Sequence, residues 1–124
     1  MQNLIIEKGF KTPSIEFLTT GILKIEGRSI PENPIEFYKE VFNWLYEYQN
    51  SNPKKTVLHI DLEYFNSSSG IILLKILKTL ELISQPGFEV QVHWHTRCND
   101  EETIETGRYY EKIVKIPFHF PELV

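Results

Sequence analysis

Residues 57–83 change their hydrophobic period once, and that change constrains the fold more than any other feature of the chain. Leu58, Ile60, Leu62 and Tyr64 alternate with Val57, His59, Asp61 and Glu63, the period of two expected of a strand with one buried face. Phe65 and the run Asn66-Ser67-Ser68-Ser69-Gly70 follow, and these polar types favour turns and helix N-caps. From Ile71 the apolar positions fall at Leu73, Ile76, Leu77, Leu80 and Ile83, with Lys75, Lys78 and Glu81 between them. That is helical spacing. The pattern predicts a strand over 57–64, a helix over 67–84 and a cluster of hydroxyls at the corner between them. Unpaired N–H groups and the positive end of the helix dipole suit such a corner to an anion, including a phosphate carried by one of the serines.

The rest of the chain supplies partners for this unit. Residues 3–7 form a short apolar run, predicted as a first strand. Residues 14–18 and 22–26 flank Thr19-Thr20-Gly21 and predict a hairpin whose glycine supplies a positive φ. The segment 27–33 is expected to be a loop. It ends in a helix start, with Asn33 as N-cap, Pro34 at the first helical position and Glu36 three residues after the cap. The helix predicted over 34–50 carries Tyr38, Val41, Phe42, Leu45 and Tyr48 as a core stripe flanked by Phe37 and Trp44, and Pro53 forbids its continuation. Residues 88–95 alternate again, with Phe88, Val90, Val92 and Trp94 inward. Asn99 or Asp100 caps a third helix with a weaker stripe at Ile104, Tyr110, Ile113 and Val114, in which Gly107 costs about 1 kcal/mol relative to alanine. Residues 116–120 are a last strand or an extended tail.

A hairpin followed by α, β, α, β, α implies a mixed sheet whose parallel strands are joined by right-handed helical crossovers. Both inner strands alternate, so the helices are expected mainly on one face and polar residues on the other. The expectation is a single two-layer α/β domain over residues 1–124, and it resembles the sulfate-transporter/anti-sigma-antagonist (STAS) fold. In that arrangement the segments 27–33, 65–70 and 96–100 each leave a strand to enter a helix, so they gather at the carboxyl edge of the sheet, where open α/β proteins bind ligands and partners. Arg28, Ser29, Glu32, Asn66, Ser67, Ser68 and Arg97 are expected to share that edge.

Composition excludes several functions. The net charge of −4 argues against nucleic acid as a main partner, since a phosphate backbone requires a basic patch. No apolar run reaches the roughly 18 residues of a membrane span, and the start of the chain lacks a signal peptide's basic and apolar regions. The one cysteine, Cys98, allows no internal disulfide and fits a reducing compartment. Cytoplasmic localisation is the expectation.

Three stretches together carry a resemblance to a known family: Thr12-Pro13-Ser14-Ile15-Glu16-Phe17, the run Gly27-Arg28-Ser29-Ile30-Pro31-Glu32-Asn33-Pro34 with Glu36-Phe37-Tyr38 after it, and Glu63-Tyr64-Phe65-Asn66-Ser67-Ser68-Ser69. The chain resembles the SiaC-type regulatory phosphoproteins, small bacterial STAS-like partner switches, over nearly its whole length. The resemblance implies a Ser/Thr protein kinase that phosphorylates the residue after the Asn and a PPM-type, metal-dependent phosphatase that removes the phosphate. It also implies that the unphosphorylated form binds and activates a diguanylate cyclase in the control of c-di-GMP and biofilm formation. By motif the phosphoacceptor is Ser67. The family's usual pattern has Thr at this position, and among three consecutive serines Ser68 is the second choice. Arg28, Ser29, Glu32, Asn66, Ser68 and Ser69 are the partner-binding residues this reading implies.

Other chemistry has little support. His59, Asp61 and Glu63 on one strand and His93 and His95 on the other are placed on the open face, but they match no metal-ligand motif. A solvated, pH-sensitive face is expected there, with no metal and no cofactor. No G-x-S-x-G elbow, P-loop or Cys-His motif is present, so the chain is not expected to be an enzyme. The competing reading is a STAS-like module that binds a small ligand or metal without covalent control.

Overall fold

The computed structural model describes residues 1–96 and 100–121. Among these, six strands form one sheet in the order β1 (Leu4–Ile6), β2 (Ser14–Phe17), β3 (Ile22–Ser29), β4 (Lys55–Phe65), β5 (Glu89–Trp94) and β6 (Phe118–His119). The first two pairings are antiparallel, and β3–β4, β4–β5 and β5–β6 are parallel. The helices α1 (Pro34–Asn50), α2 (Ser67–Ile83) and α3 (Glu101–Ile113) are the three crossovers between the parallel strands. Each has the side-chain cap its sequence calls for: Asn33, Asn66 and Asp100 accept from the backbone N–H groups of Glu36, Ser69 and Thr103. At the hairpin turn Gly21 has φ +103°, and a Cβ there would lie 2.2 Å from the Lys55 carbonyl oxygen, so glycine is required.

The alternation seen in the sequence divides the two faces. Leu23, Ile25, Leu58, Ile60, Leu62, Val90, Val92 and Trp94 are buried with Tyr38, Val41, Leu45 and Tyr48 of α1 and Leu73, Ile76, Leu77 and Leu80 of α2. The intervening Lys24, Glu26, His59, Asp61, Gln91 and His93 are only half-buried, because the helices leave that face open. Tyr110 brings α3 onto the covered face by stacking edge-on against Trp94 and donating to the Gly70 carbonyl oxygen at 2.8 Å.

Four expectations need correction. β3 continues through Gly27, Arg28 and Ser29, so the connection to α1 is only residues 30–33. Tyr64 is exposed, not buried: β3–β4 pairing steps from Gly27↔Leu62 to Arg28↔Tyr64. The extra residue, Glu63, makes a bulge beside Gly27 (φ +115°) and moves later side chains to the opposite face, so Phe65 packs on the core in place of Tyr64. Phe42, expected in the core stripe, is half-buried, as is Phe37, while the flanking Trp44 is core. The indole stacks on Tyr48 and donates to the Gln2 carbonyl oxygen at 2.7 Å, enclosed by the start of the chain. Phe88 precedes β5 and is half-buried in a bridge with Gln85. Residues 118–119 settle the last open alternative as a strand. Arg97 and Asn99 lie outside the described residues.

Candidate functional site

Asn66 is where strand and helix meet. Its backbone N–H donates to the Ser29 carbonyl oxygen at 3.2 Å, and its Oδ1 accepts from the Ser69 N–H at 2.9 Å. The strand end of β3 and the first turn of α2 are thereby tied together. Ser67 is the first residue of α2 and is exposed, as is Ser68. Among the described residues the Ser67 hydroxyl has no hydrogen-bond partner, so it is available to a modifying enzyme.

Ser69 is different. It is fully buried, and so is Ser29, which donates to the Ser69 Oγ at 2.8 Å and lies 2.6 Å from the Tyr38 hydroxyl. Since Ser29 has one proton and gives it to Ser69, the Tyr38 hydroxyl is the donor to Ser29. Burial pushes the Tyr38 phenol up to about 12, and its hydrogen bond with Ser29 offsets only part of that, so it keeps its proton. This chain of three hydroxyls satisfies every member inside the core and holds β3, α1 and α2 in register. Ser29 and Ser69 were expected as surface contacts for a partner, and their burial removes them from that role. No local pattern points to the Tyr38 contribution, because helical spacing marks that residue only as core.

Arg28 points to the open face. Its Nε lies 3.2 Å from the Glu63 Oε2, with the guanidinium 5.9 Å from the centre of the Phe10 ring, in a cavity of about 390 Å³ lined also by Lys8, Gly9 and Gly27. Glu32 is almost wholly exposed and 3.7 Å from the Lys11 Nζ. On the other side of Ser67, between α2 and α3, a groove of about 340 Å³ is lined by Phe65, Asn66, Ser67, Gly70, Ile71 and Leu74 and by Glu102, Thr106, Tyr109 and Tyr110. Glycine at position 70 lets α3 approach, since a Cβ there would lie 3.1 Å from the Tyr110 hydroxyl.

The open face carries all four histidines of the chain. His59 is in register with His93, and His93 with His119. The His59 Nδ1 lies 3.1 Å from the His95 Nε2. His119 was missed in the sequence because β6 has only two residues and no alternation to read. Among the described residues no group of three or more His, Cys, Asp or Glu side chains has the geometry to hold a metal ion. Burial, followed by the charges of His93, His95 and Lys24, lowers the pKa of His59; burial, followed by His119 and His95, lowers that of His93. A lowered histidine pKa means the unfolded chain takes up protons that the folded chain resists. Stability is therefore highest above the ordinary value of about 6.5 and falls as the pH drops through and below it. The urea midpoint is expected to fall between pH 7.5 and pH 5.5, and His59→Gln to flatten that fall. A parent midpoint unchanged between the two would contradict this account.

Comparison with known proteins identifies the frame in which this corner sits. The family model described as SiaC family regulatory phosphoprotein matches residues 6–123. The chain belongs to the SiaC family. The structure of SiaC of Pseudomonas aeruginosa superposes with a TM-score of 0.89 at 28% identity, covering 99% of this chain and all of that one. A crystal structure of the diguanylate cyclase SiaD in complex with its activator SiaC, also from Pseudomonas aeruginosa, contains a chain that matches with a TM-score of 0.90 and 28% identity over 97% of this chain and 99% of that one. A protein of Pseudomonas aeruginosa strain UCBPP-PA14, described as uncharacterized, is 29% identical over 119 residues, 95% of this chain and 94% of its own length. The mixed α/β sheet with its three helices is thus the SiaC fold, and no helix among the described residues is long and apolar enough to cross a membrane.

Proposed function

We propose that this SiaC-family chain is a cytoplasmic signalling switch, a single non-catalytic domain whose unphosphorylated form binds and activates a diguanylate cyclase. A Ser/Thr protein kinase turns it off: the Ser67 Oγ attacks the γ-phosphorus of ATP, the bond to ADP breaks and the hydroxyl proton leaves to a base on the kinase. A PPM-type phosphatase restores the hydroxyl by transferring the phosphoryl group to water. The observation that carries this reading is the exposed hydroxyl at the first residue of α2, without a hydrogen-bond partner among the described residues, in a family of regulatory phosphoproteins. The helix dipole tolerates the roughly −1.5 to −2 charge of a phosphate there, while a partner packed over the corner would have to desolvate it. Ser68, also exposed, is the second candidate. Arg28, Glu32 and Asn66 are the remaining edge residues available to a partner. The relative's complex with SiaD supports the choice of a cyclase.

The test is to incubate the purified chain with ATP and each candidate Ser/Thr kinase of the source organism, then record intact mass, map the site and assay cyclase activation by both forms. One phosphoryl group on Ser67 and loss of activation are expected. Phosphate mapped outside residues 67–69, or equal activation by both forms, would overturn the reading.

A further inference from the structure

The groove between α2 and α3 contains an apolar surface that the fold leaves uncovered. Ile71 and Tyr109, 61% and 62% exposed, form its lips, and Phe65, Leu74 and Tyr110 form its floor. A second cavity of about 110 Å³ adjoins it, shares Phe65, Glu102 and Thr106, and ends at Asp100 and Tyr64, which is 57% exposed. Large apolar side chains held in the open along one continuous groove mark an interaction surface more often than a solvated one. On the α3 wall stands one exposed carboxylate, Glu102, which lines both cavities and forms no ion pair with a described lysine or arginine.

We propose that this groove seats a segment of the diguanylate cyclase that presents apolar anchor side chains beside a lysine or arginine. The apolar anchors fit between Ile71 and Tyr109, and the cation is complementary to Glu102 on the α3 wall. The inference rests on the function proposed above and adds the surface and the chemistry of the partner. It also gives the switch a location. Ser67 belongs to the α2 wall beside Gly70 and Ile71, opposite Glu102. A phosphate on Ser67 stands where the apolar anchor must lie and would have to lose its water against hydrocarbon, which opposes docking.

The experiment measures binding of the unmodified full-length chain to each purified diguanylate cyclase of the source organism by titration calorimetry, at low and high salt. Ile71→Ala and Tyr109→Ala are each expected to weaken binding about tenfold or more, as truncated anchors do. Glu102→Lys is expected to weaken it at low salt and to remove much of its salt dependence. Ile35→Ala, 79% exposed on α1 and outside the groove, is expected to leave affinity unchanged. All four sites are exposed, and circular dichroism of each variant verifies the fold, with Glu102→Lys the arm that removes no packing. If the parent binds a cyclase and the groove variants bind equally well, the groove is overturned while the switch stands. If the parent binds none of the cyclases, the underlying function is overturned and the groove with it. Concentration-dependent self-association abolished by Tyr109→Ala, with cyclase binding unaffected, would assign the groove to a second copy and overturn the proposal.

Discussion

Trp94→Ala is expected to lower the free energy of unfolding by about 3–5 kcal/mol, the range for deleting a large enclosed aromatic side chain. Trp94 ends β5 with 1% of its surface exposed, and its ring meets Phe65 and Tyr110 edge-on. Its Nε1–H donates to the Thr103 carbonyl oxygen at 3.0 Å, tying the sheet to α3. α3 is built around this ring: a Cβ on Gly107 would come within 2.6 Å of the indole Nε1 and 2.9 Å of Phe120. Gly107 therefore spends its helix propensity on close approach. Total stabilities of small domains are about 5–15 kcal/mol, so the truncated protein should melt far below the parent. Trp94→Phe keeps most of the hydrocarbon and gives up the indole's bond to the Thr103 carbonyl oxygen, which keeps its partner within α3, so a smaller loss of about 0.5–1.5 kcal/mol is expected. Urea unfolding measures both. A loss for Trp94→Ala no greater than for Trp94→Phe would show that α3 is held by something other than this ring.

Changes at Ser67 are expected to separate stability from signalling. Ser67→Ala should leave unfolding within about 0.5 kcal/mol of the parent, because the cap is the Asn66 side chain and the Ser67 hydroxyl makes no hydrogen bond among the described residues. It should retain cyclase activation and take up no phosphate at that position. Ser67→Glu should weaken binding of the cyclase by roughly tenfold, about 1.4 kcal/mol. A carboxylate has only about half the charge of a phosphate, so the loss is partial. The dipole of α2 stabilises the negative charge in the free protein, which adds to the preference for the unbound state. The contrast with Ser69→Ala is informative. Removing that buried hydroxyl leaves the Ser29 proton without its acceptor and should cost about 1–3 kcal/mol, with no direct effect on phosphate uptake. Tight cyclase binding by Ser67→Glu, equal to the parent's, would argue against control at this residue.

Local pattern alone determined a large part of this protein. Asn33 and Pro34 start α1 where a cap and a proline must, and the change of period across residues 57–83 marks β4, α2 and the hydroxyl corner between them. These signals are legible because capping, φ restriction and amphipathic spacing act within a few residues. The family resemblance added the proposal that Ser67 is a phosphoacceptor, which spacing could not distinguish from an ordinary capping serine. What depended on the pairing of distant segments was decided only by the tertiary structure. Strict alternation carried Tyr64 to the core, but the bulge at Glu63 exists only because β3 and β4 pair out of step there, and it turns Tyr64 outward. Three adjacent serines look alike in sequence; packing of Ser29 and Tyr38 onto α2 encloses Ser69 and leaves Ser67 and Ser68 to solvent. His119 joins the histidine row through a two-residue strand, and Trp44 is enclosed by a carbonyl 42 residues away. Burial of a side chain is a property of what packs over it, and no window of neighbouring residues contains that information.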